Sequence, residues 1–306
     1  MENEGGASGK TTLVTGATGF VGSHLTQRLV RDGWTVHALV REGSRFPAPA
    51  GLAGVRRHVY DGTLDSIVGA VEEARPCVVF HLASLFIAQH RPGDVDRLVA
   101  SNILFGAQLL QAMAAAGVTR LVNTGSSWQH FHGPEYEPVN LYAATKQALE
   151  DIIRYYGEAH GLRCITLKLF DTYGPEDRRP KLLNLLLEAA RTGEAVGLSP
   201  GEQIVDMIYV DDVVEAFLVA GRMVEEGRGP ACQAFAVSGG ERVSVRELVK
   251  ACEEVLGAPV PVIWGARPYR DREVMVPASF DEGLPGWHPR FSLRQGLSRV
   301  MLSSRS

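Results

Sequence analysis

A short glycine-rich segment, set between a strand-like run and a helix-like run, constrains the fold of this chain more than any other feature. Gly16, Gly19 and Gly22 follow the apolar run 10–15 and open an amphipathic pattern over 20–31. Glycines at such a junction permit a tight turn and the close approach of a pyrophosphate to a helix N-terminus. An ordinary strand-to-helix turn would also fit this spacing, but its setting between strand and helix favours a dinucleotide site.

Patterns typical of strands and of helices alternate along the first half of the chain. They predict strands over 10–15, 35–40, 55–60, 77–82, 120–124 and 163–170, and helices over 20–31, 64–74, 95–116 and 141–160. Strands that alternate with helices of this length indicate βαβ units in a parallel sheet. We therefore predict an α/β fold with a doubly wound, Rossmann-like parallel sheet and a smaller C-terminal α/β lobe for the substrate.

The pattern loosens after Gly174, where we place a domain boundary. Residues 10–174 are predicted to form the dinucleotide-binding domain and 175–306 mainly the substrate lobe, although 204–226 could return to the first domain. Helices are expected there over 182–192, 212–226, 244–256 and 292–301, and strands over 206–210, 234–237 and 260–263. Residues 1–9 are polar and glycine-rich, which predicts a disordered tail rather than a signal peptide.

The composition excludes several classes of function. A net charge of −4 gives no indication of a nucleic-acid surface. No apolar run approaches the length of a membrane span, so no membrane partner is expected. The four cysteines are scattered without metal-type spacing, so we predict no metal site and, by default, a location in the reducing cytoplasm.

Two residues in the predicted helix 141–160 indicate the chemistry. Tyr142 and Lys146 are four residues apart, so the phenol and the ammonium share one face of the helix. An ammonium beside a phenol should lower the tyrosine pKa from its usual value of about 10. Such a tyrosine can exchange a proton with an alcohol or a carbonyl. Together with a nicotinamide, these residues predict a carbonyl/alcohol redox site.

The end of the second predicted strand discriminates between cofactors. An acid there binds the ribose hydroxyl of NAD, whereas an arginine accommodates the 2'-phosphate of NADP. This strand ends at Arg41, with Ser44 close behind it and Glu42 as the one nearby acid. We therefore predict NADPH, with NAD less favoured. Asp61 and Gly62 follow the third strand and could meet an adenine edge or form a plain turn.

The motifs together, in this order, resemble the extended short-chain dehydrogenase/reductases, and within them the nucleotide-sugar epimerase, dehydratase and ketoreductase group. The resemblance spans nearly the whole chain and rests on the segments 15–22, 81–83, 102–106, 126–127, 142–146, 173–175, 209–212 and 286–289. The segments 123–130 and 267–273 are most similar to 4-ketoreductases of the CDP-abequose-synthase type.

The resemblance implies a role for each matching residue. Tyr142 corresponds to the catalytic acid/base, Lys146 to the ligand of the nicotinamide ribose, and Ser127 to the residue that orients the substrate carbonyl. Asn102 corresponds to the support of the active-site helix. The cofactor site is expected to comprise Tyr142, Lys146 and Gly16, Thr18, Gly19, Phe20, Val21, Gly22, Arg41, Ser44, Asp61, Gly62, Leu82, Ala83, Ser84 and Asn102.

Departures from the family pattern narrow the expected reaction. Related dehydratases carry an acidic pair after the hydroxyl residue, where this chain has Trp128 and Gln129. We expect NADPH-dependent reduction of a nucleoside-diphosphate 4-keto-6-deoxyhexose, in deoxysugar biosynthesis. Two alternatives stay open, a nucleotide-sugar 4-epimerase and a non-catalytic dinucleotide sensor. A homodimer is implied by the relatives, and the substrate is expected to meet Ser127, Trp128, Asp171, Arg179, Lys181, Arg270 and Arg272.

Overall fold

A seven-stranded parallel sheet forms the centre of the structure, a computed structural model that describes residues 9–46, 52, 54–280 and 283–303. The strand order is β10-β6-β5-β4-β1-β2-β3. The strands are β1 Thr11–Thr15, β2 Thr35–Arg41, β3 Arg56–Tyr60, β4 Val78–His81, β5 Arg120–Ser126, β6 Arg163–Leu169 and β10 Cys232–Val237. This confirms the predicted doubly wound fold, and the predicted tail, apart from Gly9, lies outside the described residues.

Helices cover both faces of this sheet. On one face lie α1 and α7, whose apolar sides share a core with β1, β4 and β6. On the other face, α2, α4 and α5 bury Ile67, Leu109 and Leu149 against the sheet. The helices are α1 Phe20–Arg31, α2 Leu64–Ala74, α3 Val95–Val99, α4 Phe105–Ala115, α5 Leu141–His160 and α7 Val210–Glu225.

A smaller lobe lies beyond the carboxyl ends of the central strands. Its three-stranded sheet has the order β11-β9-β7, and β8 pairs with β12. Three helices pack around a separate apolar core that includes Leu186, Leu248 and Leu297. The elements are β7 Asp171–Tyr173, β8 Val196–Gly197, β9 Ile204–Tyr209, β11 Arg242–Ser244, β12 Val262–Ile263, α6 Leu182–Thr192, α8 Val245–Leu256 and α9 Leu293–Ser303.

The sequence placed several elements correctly and misplaced others. The bounds of α1, α2, α5 and α6 are those expected, whereas the long helix predicted over 95–116 is interrupted by a π-helical segment, Ala100–Leu104. Strand β10, predicted for the C-terminal lobe, instead pairs in parallel with β6 in the central sheet. Helix α7 packs on the same sheet, against β4, β5 and β6. The strands β7, β8 and β11 are too short to leave a sequence pattern.

The continuous helix from Pro92 to Ala115 has the length and composition of a membrane span, which the sequence reading did not anticipate. It is 44% buried over its most apolar stretch, and its second half packs between α2 and α5. Packing in this helical layer buries Leu109 and Met113, whereas Val95, Val99 and Leu104 are exposed.

The glycine turn that precedes α1 has no space for a larger residue. Gly16 adopts a positive φ of 72°, and its carbonyl accepts the Gly19 amide at 2.9 Å. A Cβ atom on Gly22 would lie 2.0 Å from that carbonyl oxygen. The turn therefore leaves the amino end of α1 uncovered at the carboxyl edge of the sheet.

Gly22→Ala should destabilise the protein by about 1–3 kcal/mol, because the added methyl group forces the turn apart. Gly69 provides a matched control, since it also lies in a helix but a Cβ atom there meets nothing within 4 Å. Gly69→Ala should be neutral or stabilising by up to about 1 kcal/mol. Denaturant unfolding of both variants measures the difference, and equal stabilities would contradict the steric argument.

Candidate active site

Two clefts meet at the carboxyl edge of the central sheet. The first has a volume of about 410 Å³ and runs from the glycine turn to α5, past Gly16, Gly22, Leu82, Tyr142 and Lys146. The second has a volume of about 310 Å³ and extends between the sheet and the small lobe. They share one wall, formed by Phe86, Ser127, Trp128, Phe170, Asp171, Thr172, Pro180 and Lys181. A ligand in each cleft would therefore meet the other near Tyr142.

The first cleft has the form of a dinucleotide cradle. A Cβ atom on Gly16 would lie 2.6 Å from the backbone nitrogen of Ala83, so only glycine lets β1 and the loop after β4 approach this closely. The amino end of α1 faces the cleft through Gly19 and Phe20. The residues present therefore fit the pyrophosphate and nicotinamide of such a cofactor. Thr18, Val21, Leu82 and Ser84 belong to the same turn and loop.

Helix α5 brings Tyr142 and Lys146 to the junction of the clefts. It begins after Asn140, whose side chain accepts the Ala143 amide at 2.9 Å, and it ends at Gly161 with a positive φ of 66°. Tyr142 is 8% exposed and Lys146 is 2% exposed. The predicted shared face is therefore present, one turn apart, on a well-capped helix.

The Tyr142 phenol has a raised pKa. Burial raises its pKa to about 12, although hydrogen bonds with Ser84 and Ser126 and the charge of Arg179 act to lower it. The expected lowering of this pKa by Lys146 is therefore wrong here, because the loss of water outweighs the favourable contacts. A neutral phenol is a proton donor at neutral pH.

The Lys146 ammonium reaches past the phenol to the sheet. It donates a hydrogen bond to the Thr124 carbonyl at 3.0 Å and lies 5.9 Å from the centre of the Tyr142 ring. Burial lowers the Lys146 pKa to about 8, against an opposing effect of the Glu150 carboxylate. Its position at the floor of the first cleft is that expected of a ribose ligand.

The sequence places Ser126 and Ser127 together at the end of the fifth strand, and it predicts the catalytic role for Ser127 alone. The Ser126 hydroxyl accepts the Trp128 amide at 3.2 Å and lies near enough to the Tyr142 phenol to lower the pKa of that phenol, one residue before the predicted Ser127. Ser127 begins the 3₁₀ turn after β5 and lines both clefts. The strand β5 continues to Ser126 rather than ending at Thr124. Ser126 is therefore the last residue of the strand, and Ser127 is the first residue after it. The signal was present in the pair of adjacent serines, which pattern alone does not resolve.

Asn102 supports the site from the π-helical segment rather than from the cleft. Its side-chain oxygen accepts the Leu85 amide at 2.7 Å and the Ser84 hydroxyl at 3.2 Å. Its amide nitrogen donates to Leu85 and to Thr145 of α5, at 3.0 and 2.9 Å. It therefore links the loop after β4 to the active-site helix, which is the supporting role that the sequence predicts.

Two cationic groups lie near the carboxyl end of β2, outside the set of residues that line the first cleft. Arg41 is exposed at the end of β2, as predicted. Arg57 on β3, which the sequence reading did not select, donates to the Ser44 carbonyl at 2.6 Å and lies over the Phe46 ring. Asp61 accepts the amide and hydroxyl of Thr63 in the turn at Gly62, and the contact of this pair with an adenine edge stays a prediction.

Three of the four predicted basic ligands lie at the clefts. Arg179 pairs with the buried Asp177 at 2.7 Å and lies over the Phe20 ring. Lys181 lies 3.4 Å from Asp171 and over Phe86, and Arg270 pairs with Glu273 over Trp128. Arg272 instead pairs with Glu137 and lies over Phe131, because the turn at 270–273 directs the two arginines to different neighbours.

Among the described residues, one group has the spacing of a metal site, namely His37, His58 and Glu73. The two imidazole nitrogens face each other at 2.7 Å, and the rings are nearly coplanar with centres 5.0 Å apart. This is the geometry of a hydrogen bond, with no space for an ion between the nitrogens. The group lies away from the residues that line the two clefts.

Comparisons with known proteins agree with this architecture. The sequence model of the NAD dependent epimerase/dehydratase family matches residues 12–234. CDP-abequose synthase of Salmonella typhimurium is 26% identical over 94% of this chain and 96% of its own length. UDP-glucose 4-epimerase of Mycolicibacterium smegmatis is 31% identical over 95% of this chain and 97% of its own length.

A solved structure shows the same arrangement. MoeE5, in complex with UDP-glucose and NAD, has a TM-score of 0.83 and 29% identity, covering 96% of this chain and 98% of that chain. The names of the two sequence relatives refer to nucleotide sugars, and the MoeE5 structure holds both a nucleotide sugar and NAD. From the family match and the two-cleft site, this chain is an enzyme that belongs to the NAD dependent epimerase/dehydratase family.

Proposed function

We propose that the protein is an NADPH-dependent 4-ketoreductase that converts a nucleoside-diphosphate 4-keto-6-deoxyhexose into the 4-hydroxy sugar. The observation that carries the proposal is the buried Tyr142 phenol in the first cleft, next to the Phe86 ring, which lines both clefts. A reduction at C4 needs a group that gives up a proton as the carbonyl oxygen becomes an alkoxide. A buried phenol that keeps its proton at neutral pH is suited to that direction.

Each side chain has a defined part in this reaction. Gly16, Gly22 and Lys146 would hold the dinucleotide, which supplies a hydride to C4 when bound. Tyr142 donates its proton to the developing alkoxide oxygen, and Ser126 hydrogen-bonds the same oxygen. Lys146, held by the Thr124 carbonyl, keeps a positive charge near the phenol and stabilises the phenolate that remains. Closely fixed donors stabilise charge better than mobile water does.

The side chains around Tyr142 favour a deoxygenated sugar. The Phe86 ring lies edge-on 4.9 Å from the Tyr142 ring, and the Trp128 ring lies 5.4 Å from Phe86. Both rings line both clefts, so a sugar with its C4 at the phenol must lie against them. An apolar wall accepts a C6 methyl group, whereas a C6 hydroxyl would lose its hydrogen-bond partners there. Elimination of water is disfavoured, because Ser127 and Trp128 follow Ser126 instead of acids.

Charge supports the remaining contacts. Arg41 and Arg57 lie on either side of the loop at Ser44, where they could share a 2'-phosphate, and this supports NADPH. The solved neighbour MoeE5 holds NAD, so the preference for NADPH is specific to this proposal. The diphosphate of the sugar would be bound by Arg179, Lys181 and Arg270, and guanidinium groups suit it by their bidentate geometry. Arg272, paired with Glu137, is left out of this set.

The main alternative is a nucleotide-sugar 4-epimerase, because the same tyrosine, serine and lysine serve both directions of hydride transfer. The relative from Mycolicibacterium smegmatis favours it. A non-catalytic sensor is disfavoured by the intact, hydrogen-bonded set. We also propose a homodimer. The residues that would form its interface are apolar and exposed, and they lie on α3, on α5 and on the π-helical segment between α3 and α4: Val95, Val99, Leu104 and Tyr155. Its proposed location is the cytoplasm, as predicted from the cysteine pattern.

The reaction itself is tested by cofactor stoichiometry. Purified protein given NADPH and a CDP- or dTDP-linked 4-keto-6-deoxyhexose should oxidise one NADPH per sugar and form a single 4-hydroxy product. Absorbance of the reduced nicotinamide and chromatography of the sugar measure the two quantities. An epimerase would leave the keto sugar unreduced and interconvert UDP-glucose and UDP-galactose without net consumption of NADPH, and that result would replace the reductase assignment.

The assignment of the hydroxyl residue is tested by two neighbouring serines. Ser126→Ala should lower kcat roughly 10²-fold, because a donor to the developing alkoxide is lost. Ser127→Ala is the matched control and should retain most activity. Tyr142→Phe should lower kcat roughly 10²–10⁴-fold with little change in NADPH affinity. A larger loss of kcat in Ser127→Ala than in Ser126→Ala would instead support Ser127, the residue predicted from the sequence to orient the substrate carbonyl.

The cofactor preference is tested at the end of β2. Arg41→Asp should lower kcat/KM for NADPH about 10–100-fold, because a charge-assisted contact with the phosphate is replaced by repulsion. It should leave kcat/KM for NADH equal or higher. Steady-state kinetics with both cofactors measure the ratio. If the wild-type protein already prefers NADH, Arg41 and Arg57 do not recognise the 2'-phosphate of NADPH.

A further inference from the structure

A buried amide connects the turn that carries Ser126 to helix α5. The backbone amide of Ser126 donates to the Gln129 side-chain oxygen at 2.9 Å. The Gln129 nitrogen donates to Glu150 at 2.7 Å and to Gln147 at 2.9 Å. Gln129 is 0% exposed, so none of these contacts can be replaced by solvent. The side chain bridges the end of β5 and the helix without touching the first cleft.

The anchor of this bridge lies on the catalytic face of the helix. Tyr142, Lys146 and Glu150 follow one another at four-residue intervals, so they line one side of α5. The Glu150 carboxylate also lies 3.8 Å from Lys168 on β6. The Glu150 carboxylate therefore contacts β6 through Lys168 and the turn after β5 through Gln129.

A second contact fixes the other end of the same turn. Lys168 donates to the His130 Nε2 atom at 2.6 Å, and the His130 Nδ1 atom donates to the Glu135 carbonyl at 2.9 Å. His130 follows Gln129 directly and is 5% exposed. The turn is thus tied to β6 through Lys168 and to α5 through Glu150, and its position relative to the phenol has little freedom.

We propose that Gln129 is a positioning residue, which holds the Ser126 hydroxyl against the Tyr142 phenol by tying the Ser126 backbone to Glu150. This rests on the proposed function only in the part that Ser126 takes in the reaction. The link acts by geometry, because a displacement of about 1 Å in a catalytic group can cost 10²-fold in rate. A merely structural amide would stabilise the fold without setting the distance between hydroxyl and phenol.

The test uses a variant that breaks the bridge and a pair that rebuilds it. Gln129→Leu removes all three hydrogen bonds of the side chain at similar volume and should lower kcat about 10–100-fold. Gln129→Glu keeps the acceptor for Ser126 but sets two carboxylates against each other, so kcat should fall as well. Adding Glu150→Gln to Gln129→Glu reverses the donor and the acceptor and should restore much of kcat. NADPH affinity should be unchanged in all of them.

Asn123→Leu is the matched control. Asn123 is also a buried amide, 1% exposed, and it bridges β5 to Thr166 of β6 at 3.1 Å, away from Ser126. It should lose stability in thermal unfolding as Gln129→Leu does, but keep kcat. Equal kcat in Gln129→Leu and Asn123→Leu, or no rescue in the double variant, would overturn the proposal.

A second measurement does not depend on turnover. With 13Cζ-labelled tyrosine, the NMR resonance of Tyr142, assigned by its absence in Tyr142→Phe, reports the hydrogen bond to the phenol. It should move in Gln129→Leu, return toward wild type in the double variant, and stay in place in Asn123→Leu. Wild-type protein inactive on keto and hydroxy sugars would refute the proposed function alone, while an unmoved resonance in Gln129→Leu would refute the positioning role.

Discussion

The burial of α5 against the end of β5 is the constraint on which the site depends. It brings a phenol, an ammonium and a carboxylate into a layer almost closed to water, where each polar group needs a partner within the protein. The partners come from the surrounding elements: Thr124 for Lys146, Ser84 and Ser126 for Tyr142, and Gln129 for Glu150. Desolvation thus creates both the reactivity of the tyrosine and the rigid scaffold around it.

The cationic side chains that line the two clefts are also paired within the protein. Arg179, Lys181 and Arg270 are each neutralised by a nearby acid and each lies over an aromatic ring. An anionic ligand would compete with those carboxylates for the cations. Its binding would therefore replace existing ion pairs, because none of these three cations is unpaired. Asp177, which is 3% exposed in its side chain, is the firmest of the competitors, whereas Asp171 is the most accessible.

The sequence specified the architecture because periodicity and glycine turns are local signals. The helices α1 and α5 could be delimited to the residue, and the shared face of Tyr142 and Lys146 followed from their spacing. The direction of the Tyr142 pKa shift could not be obtained in that way, because burial depends on elements distant in the chain. The choice between Ser126 and Ser127 could not be made from local signals for a related reason, since it depends on the last residue that pairs with β6. Arg57 lies in no motif, and Gln129 lies in one that does not indicate its contacts, so the contacts of both became apparent only in the folded structure.

The return of β10 to the central sheet has a consequence for how the chain is made. Strand β6 lies between β5 and β10, and β10 is more than sixty positions further along the chain, after β7, α6, β8 and β9 of the small lobe and after α7. While the ribosome is still producing these intervening elements, the nascent first domain presents β6 as an open apolar edge, which is a template for pairing with other chains. The central sheet is therefore completed only after the first elements of the small lobe have been made, and a fragment that stops at the Gly174 boundary would be prone to aggregate.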